Sequence, residues 1–593
     1  MAKPKSSVAR ATPANKATQK SDVGTPPSHT SKSDAPSSPI KPEDGPAPKS
    51  SFFDFIKAAL MGAIVVGIAG IYSHLSQLTL HPVYGSVPPA KYHGKSTFIA
   101  ALVGWIGASY IRRYANPRLM LPVLAFNIPT IQYLLFPLSS QLGAVYGPVV
   151  TEALTYCPLV ALSVCMAGML LEDLQLSQKG KSVLTQWNFV GSYGLILAVE
   201  DSARAYLSRH LGSTALMSTP AIQFILAAIH AVVFPSKKLL LVIPSLIFSA
   251  TLNYHIPLAH TTNVLNARME NDGFALLHRQ ESVTGYLSVL ENTKLGYRVM
   301  RCDHSLLGGE WALPPEYKDA KVRDSVFSVF TTLEAVRLVK KDDGQPRKPD
   351  AESNALIIGL GIGTTPTALA AHGINTTTVE IDPAVHQLAM DYFNYPRHLK
   401  TVTEDALLFV HNAKLQSPTP RYDFIVHDVF TGGVEPIDLF TSFFMQGLYD
   451  LLTDDGAIVI NYAGDLALPT ASLVVRTIKS VFPSCRIFRD HQQREDAKET
   501  DYANMVIYCK RTSAPLEFRE PIEADYLNSP SRKDSLMPVF EVDSTTLANA
   551  PDGDQSILGP DVPEALQDWQ AKGALGHWKV MRGVLPDGVW EKW

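Results

Sequence analysis

Cysteine is scarce in this chain. Five residues in 593, at positions 157, 165, 302, 485 and 509, show neither CxxC spacing nor a metal-ligand pattern. Such thiols read as ordinary core side chains of a protein in a reducing setting, and no metal is expected. Excess charge of one sign is missing too. The formal net charge is −4 and 18% of residues are charged, so nothing points to nucleic acid as a partner. Large apolar residues are almost absent from positions 1–50, where Pro, Ser, Thr and Lys dominate and eight Lys/Arg face four Asp/Glu. Such a stretch cannot bury a core and is expected to be a disordered tail.

From Phe55 the composition reverses. About seven apolar stretches follow up to Leu252, beginning with Phe55–Leu78, and a multi-pass α-helical membrane domain is expected over residues 51–257. Within it, Glu152 and the group Glu200, Asp201 and Arg204 read as helix-end residues or as an internal pair, Glu200 and Arg204 being spaced i, i+4. Lys and Arg cluster in alternate loops on the side of the N-terminus, which is expected to be cytoplasmic. Seven spans would put the remainder across the membrane, and six or eight would keep it cytosolic. A nucleoside-using enzyme is supplied most simply in the cytosol, so the catalytic half is expected there.

Beyond Pro257 the chain reads as soluble. Residues 258–350 hold a strand pair, Tyr286–Glu291 and Tyr297–Cys302, and a helical pattern over Val326–Val339. Residues 351–512 alternate strands with helices, the pattern of a parallel sheet covered on both faces. Residues 513–593 form a C-terminal extension whose tryptophans are expected to pack back on the domain.

The alternating region is organised around Ala355–Pro383, ALIIGLGIGTTPTALAAHGINTTTVEIDP. An apolar strand runs into Gly359, Gly361 and Gly363. A helix follows, and a second strand ends in Glu380. The glycines permit a tight turn and a close approach of backbone to a nucleotide, and the acid can bind ribose hydroxyls. Asp405, Ala406 and Asp428 also fall at predicted strand ends, where ligands of such sheets lie. Asp405 reads equally as a helix N-cap, and the two roles are compatible.

VEIDP (379–383), EDA (404–406), YDFIVHD (422–428) and the LF pair at 439–440 resemble the motifs of the spermidine/spermine synthase family, the polyamine aminopropyltransferases, over about Glu281–Lys510. The resemblance implies a small N-terminal β-region joined to a class I methyltransferase-like Rossmann domain, here in a membrane-fused form. It implies decarboxylated S-adenosylmethionine or S-adenosylmethionine as co-substrate and transfer of an aminopropyl group to an amine. Glu380 would hold the ribose, Asp405 the adenine amino group, and the glycine turn the aminopropyl or methionine-like tail.

The polyamine side departs from the family. Its glycine loop reads GGGDG, and Ile362 stands at the acidic position. Its catalytic loop reads DSSDP, and here Asp428 is followed by Thr431 where the second acid acts as base. Thr284–Gly285 replaces the family's YQ pair. Its DExxY-type segment maps near Asp324, with Ser328 at the tyrosine position. Asp428 is then the remaining carboxylate for an acceptor amine, and Glu435 a second choice. Two other readings stay open: an S-adenosylmethionine-dependent methyltransferase on the same fold, and a non-catalytic membrane protein that senses a nucleoside.

Overall fold

The computed structural model describes residues 52–172, 181–312, 322–429, 434–492, 501–548, 556–559 and 565–593. The expected tail at residues 1–50 lies outside them, as does Thr431.

The first part is helical. Phe52–Tyr84 is a 33-residue helix, and Val87–Ile106, Pro117–Leu135, Tyr156–Glu172 and Lys181–His210 pack around it or beside it. The expectation of about seven spans is corrected here. Among the described residues two helical segments are long and apolar enough to cross a membrane, Ile56–Tyr84 and Pro117–Leu170. Thr219–Val233 has 15 residues and Ile243–Thr251 has nine, both short of the roughly 20 a bilayer needs. Lys181–His210 is long enough, but Glu200, Asp201 and Arg204 interrupt its apolar run. Glu200 accepts from Arg204 at 2.9 Å, the i, i+4 pair expected from the sequence. Glu152 is instead buried against His93 in the helical interior, and Ser73 bridges His93 and Glu200 at 2.7 Å to each.

Four strands then form an antiparallel meander: β1 (Phe274–Ser282), β2 (Gly285–Asn292), β3 (Tyr297–Cys302) and β4 (Ser305–Trp311). The helical pattern over Val326–Val339 is realised as one short α-helix, Ser328–Thr332, and a 3₁₀ turn, Leu333–Leu338. Eight strands make the second sheet: β5 (Asn354–Ile358), β6 (Asn375–Glu380), β7 (Lys400–Thr403), β8 (Tyr422–His427), β9 (Leu452–Asp465), β10 (Ser484–Arg489), β11 (Tyr502–Lys510) and β12 (Phe540–Val542). Their order is β12-β10-β11-β9-β8-β5-β6-β7. β7, β6, β5, β8 and β9 run parallel, and β11 is antiparallel between β9 and β10. This is the Rossmann-like topology of class I methyltransferases.

Alternation builds the two faces. Leu356, Ile358 and Ile425 join one core with the helices Ser442–Leu451 and Pro469–Val481, while Ala355, Ile357 and Val426 join the core on the other face. Both faces are covered, so β5 reads in sequence as an unbroken apolar run. The small sheet is fastened to the large one by Asp382. Its carboxylate caps the helix Pro383–Tyr392 at Ala384 N (2.8 Å) and accepts from Ser282 Oγ (2.6 Å) and Thr284 Oγ1 (2.5 Å).

The cysteines depart from the sequence reading. Cys485 and Cys509 stand directly opposite each other on β10 and β11 and form a disulfide, with Cα atoms 4.2 Å apart. The pairing follows from strand register, which a separation of 24 residues does not reveal. Cys157, Cys165 and Cys302 take part in no disulfide among the described residues.

The C-terminal tryptophans pack inward, with Trp578, Trp590 and Trp593 all buried. Trp578 Nε1 donates to the Val83 carbonyl at 3.0 Å, tying the helix Leu566–Val584 to the end of Phe52–Tyr84.

Candidate functional site

Gly359, the first residue after β5, has φ +90°. A Cβ there would stand 2.1 Å from the Asp428 carbonyl oxygen. Gly361, at φ +54°, would bring a Cβ to 2.5 Å from the Leu307 carbonyl. Glycine is therefore required at both by conformation and by space. The turn is held from below by Glu380, at the end of β6, whose two carboxylate oxygens accept from Leu360 N (3.0 Å) and Asp382 N (2.9 Å). Each of those oxygens keeps a lone pair for a further donor. Burial pushes the Glu380 carboxyl up to about 7, against the pull of these backbone donors.

A cavity of about 600 Å³ opens over the carboxyl ends of the strands. Gly359, Gly361, Glu380, Asp405, Ala406 and Asp428 all line it. Gly363 does not. It precedes the helix Thr364–Ala371, and a Cβ there would meet the Tyr395 ring at 2.5 Å, so its need for glycine comes from packing. Asp405 caps the helix Ala406–Leu415 through Leu407 N (2.8 Å), and its neighbour Glu404 lines the cavity beside it.

Asp428 is the first residue past β8. Its Oδ1 accepts from Asn461 Nδ2 at 2.8 Å, and burial pushes its carboxyl up to about 6. Asn461 Oδ1 is buried in the same wall without a partner among the described residues, an acceptor that a bound ligand can satisfy. Glu435, the second-choice acid, is not among the lining residues. Its Oε1 accepts from Tyr462 Oη at 2.6 Å inside the domain.

Several lining residues escaped the sequence reading. Cys302 and Ser305 come from the small sheet, beside Thr284 of the pair already singled out, and Asp490, His491, Tyr502 and Asn504 from the β10 and β11 edge. His577, Val580 and Met581 come from the helix Leu566–Val584. Burial pulls the His577 imidazole down to about 3, so this end of the cavity presents a neutral ring. Only Asn461 carried a usable signal, as the polar end of the apolar run GAIVIN.

The polyamine positions are occupied otherwise. Ile362 is buried among Leu287, Val289, Met300 and Leu388, with its side chain against Gly308, where an acid would have no partner. Asp324 is tied to Arg532 (3.2 Å) and to Ser529, and Arg532 also pairs with the buried Glu334 at 2.9 Å. It serves an internal ion network and is not among the lining residues.

Residues 346–489 match the family described as the spermine/spermidine synthase domain. The N-terminal histidine N-methyltransferase of Emericella nidulans is 47% identical over 551 residues, covering 91% of this chain and 98% of its own length. A polyamine aminopropyltransferase of Vibrio vulnificus is 32% identical over 245 residues, covering 40% of this chain and 73% of its own. Among solved structures, a probable spermidine synthase from Corynebacterium glutamicum is 16% identical and covers 49% of this chain and 97% of its own, at a TM-score of 0.37.

The likeness that runs the length of the chain overturns aminopropyl transfer and polyamine biosynthesis as the expected function. What survives is the nucleoside half of the site. Its glycine turn, the buried carboxylate of Glu380 and the open acceptor on Asn461 suit S-adenosylmethionine, which is the cofactor. The chain belongs to the family of the N-terminal histidine N-methyltransferase of Emericella nidulans.

Proposed function

We propose that this protein is an S-adenosylmethionine-dependent methyltransferase that modifies a nitrogen of an N-terminal histidine. The observation that carries this reading is a likeness of 47% identity over 551 residues, 91% of this chain and 98% of the relative's own length. When bound, the cofactor supplies an electrophilic methyl group on a sulfonium.

The chain's own residues then bind and orient. Glu380 holds the ribose hydroxyls, and Glu404 and Asp405 face the adenine. Gly359 and Gly361 let the tail lie close to the backbone. Asp428, held by Asn461, supplies negative charge near the reacting end and attracts a cationic chain terminus. Of the two histidine nitrogens types on offer, the ring carries a free lone pair near neutral pH. A terminal amine, with an ordinary pKa of about 7.7–8.0, is mostly protonated there. The ring is therefore the acceptor this chemistry favours.

Purified full-length protein with S-adenosylmethionine and a short peptide beginning with histidine should give one added methyl on that residue by mass spectrometry. The same peptide beginning with alanine should stay unmodified. Spermidine formation from decarboxylated S-adenosylmethionine and putrescine, with no peptide methylation, would refute the proposal.

Glu380 gives the cofactor half its own test. Its carboxyl is raised to about 7 in the folded protein from an ordinary 4.5. Whatever stability the group lends is complete below the unfolded value and is lost as pH rises through about 7. Ribose hydroxyls donate to the ionised form and favour it, so binding releases a proton. Affinity for S-adenosylhomocysteine should rise as pH climbs through about 7, and Glu380→Gln should remove that dependence. Glu380→Ala should weaken binding about tenfold to a hundredfold, the loss of a charge-assisted hydrogen bond. Calorimetry in buffers of different ionisation enthalpy measures both effects, and wild-type affinity in Glu380→Ala would remove this residue from the site.

A further inference from the structure

We propose that Asp490 and His491 form the proton-accepting pair of the acceptor site, with His491 Nε2 as the atom that takes the proton. The inference rests on the reading of this protein as a histidine N-methyltransferase.

Sheet topology puts the pair in place. β10 runs parallel to β9, since each is antiparallel to the β11 between them. The end of β10 therefore emerges at the same edge as the ends of β5, β6 and β8, which carry Gly359, Glu380 and Asp428. Asp490 and His491 are the two residues immediately past β10, and both line the cavity. Asp428 and Asp490 stand on strands three places apart in the sheet, on the order of 14 Å at the usual inter-strand spacing. That leaves room for a side chain to reach between them.

The pair is held on the backbone side. Asp490 N donates to the Asn504 carbonyl at 3.0 Å, and Asn504 Nδ2 donates to Asp490 Oδ2 at 3.1 Å. The other carboxylate oxygen, Oδ1, bonds His491 Nδ1 at 2.6 Å. A carboxylate can only accept, so the proton of a neutral His491 ring sits on Nδ1 and the lone pair on Nε2. A carboxylate that fixes the tautomer of an imidazole and stabilises its cation is the arrangement used to make a histidine a base. The His491 side chain is 45% exposed, so a proton it accepts can pass on to solvent. The other titratable rings near this end are poor bases: His577 is held neutral down to about 3, and Tyr502 is pushed well above the usual phenol range by burial.

The step balances as follows. The N–H of the acceptor imidazole donates to His491 Nε2, which leaves the lone pair of the other ring nitrogen free to face the methyl group. That lone pair forms the new N–C bond. The electron pair of the broken C–S bond stays on sulfur, which becomes a neutral thioether. The positive charge passes to the methylated ring, whose remaining N–H proton moves to His491 Nε2. The imidazolium so formed is stabilised by Asp490 until its proton leaves to water. No oxidant, metal or second co-substrate is needed.

The test uses the full chain, S-adenosylmethionine and a peptide beginning with histidine. His491→Ala should lower kcat about a hundredfold or more, the usual worth of general-base assistance. S-adenosylhomocysteine affinity should stay within about twofold of wild type, since the pair does not face the nucleoside. Added imidazole should restore turnover in His491→Ala, which a purely structural role would not allow. His491→Gln keeps a side chain of similar reach and cannot take up a proton, so it should be as slow as His491→Ala even where the latter folds poorly. Asp490→Asn should fall between the variants and wild type. Wild-type turnover in His491→Ala or His491→Gln, or failure of imidazole to restore the alanine variant, overturns the pair and leaves the methyltransferase reading standing. A wild-type protein that does not methylate the peptide overturns both.

Discussion

Gly359→Ala is expected to abolish measurable binding of S-adenosylhomocysteine and, with it, methyl transfer. At φ +90° an alanine costs about 1–2 kcal/mol in backbone conformation alone. Its Cβ would also stand 2.1 Å from the Asp428 carbonyl oxygen and 3.2 Å from Val429 Cγ1. Neither neighbour can give way easily. Gly359 N donates to the Val379 carbonyl and Asp428 N to the Ile358 carbonyl, each at 2.9 Å, so β5, β6 and the end of β8 are locked together at this point. The turn and Asp428 must move apart, which damages the cofactor side and the acceptor side at once. A loss of at least a hundredfold in affinity, about 2.7 kcal/mol, is expected by calorimetry. Gly344→Ala is the matched control. It also has positive φ, +68°, but a Cβ there meets nothing within 4 Å. It should cost some stability and leave binding unchanged. Wild-type affinity in Gly359→Ala would show that this turn does not hold the cofactor.

The contrast between these two glycines bears on what a sequence discloses. The GxGxG run, its preceding strand and the acid at the end of the next strand are all local, and they mark Gly359, Gly361 and Glu380 without any knowledge of the fold. Central strands of the large sheet are similarly readable, because β5, β8 and β9 are buried and carry compact apolar runs, while strand propensity marks the threonine-rich β6. Ala355–Ile358 lies within β5, Thr376–Val379 within β6 and Asn504–Lys510 within β11. Gly363 belongs to the same run but supports a helix and the Tyr395 ring, a difference that spacing cannot express.

The β10 and β11 end of the cavity is built from residues far apart in the chain. Asn461, Asp490, Asn504 and His577 meet there because β9, β11 and β10 are in register and the C-terminal helix closes over them. The same register pairs Cys485 with Cys509. Antiparallel register of this kind leaves no periodic trace in a single sequence. The polar residues of the helical part mislead for a related reason. Ser73, His93, Glu152 and Glu200 satisfy one another in the interior, so apolar composition overstates the number of segments able to cross a membrane. The family resemblance was sound for the domain and misleading for the reaction. Ile362 already stood where an acid is needed, and the structure shows a packed apolar site there.

Arg301→Ala should be among the most destabilising single changes in the molecule, at about 3–5 kcal/mol. The side chain is fully buried on β3, and its guanidinium donates to carbonyls from three parts of the chain. Nε reaches the Asp303 carbonyl at 2.7 Å. Nη1 reaches Val589 at 2.7 Å and Lys592 at 3.4 Å, and Nη2 reaches Trp590 at 3.3 Å and the Pro82 carbonyl. The cation also lies 4.9 Å from the centre of the Trp590 ring. Burial pulls the guanidinium down to about 10, so it stays charged at neutral pH and its donors remain charge-assisted. Alanine would leave these carbonyls buried without donors and open a cavity beside Trp590. The small sheet, the end of the helix Phe52–Tyr84 and the C-terminal residues would lose their common anchor. Because the helix Leu566–Val584 also carries His577 and Met581 into the cavity wall, turnover with a histidine peptide should fall along with the melting temperature. Arg301→Lys retains the charge but offers fewer donors without the planar fork, and should recover only part of the loss. Thermal unfolding of the three full-length proteins, followed by turnover well below the lowest midpoint, separates the two effects. A melting temperature in Arg301→Ala equal to wild type would mean that the C-terminal residues are held by Trp578 and Arg582, through Val83 and Ser139, without need of this arginine.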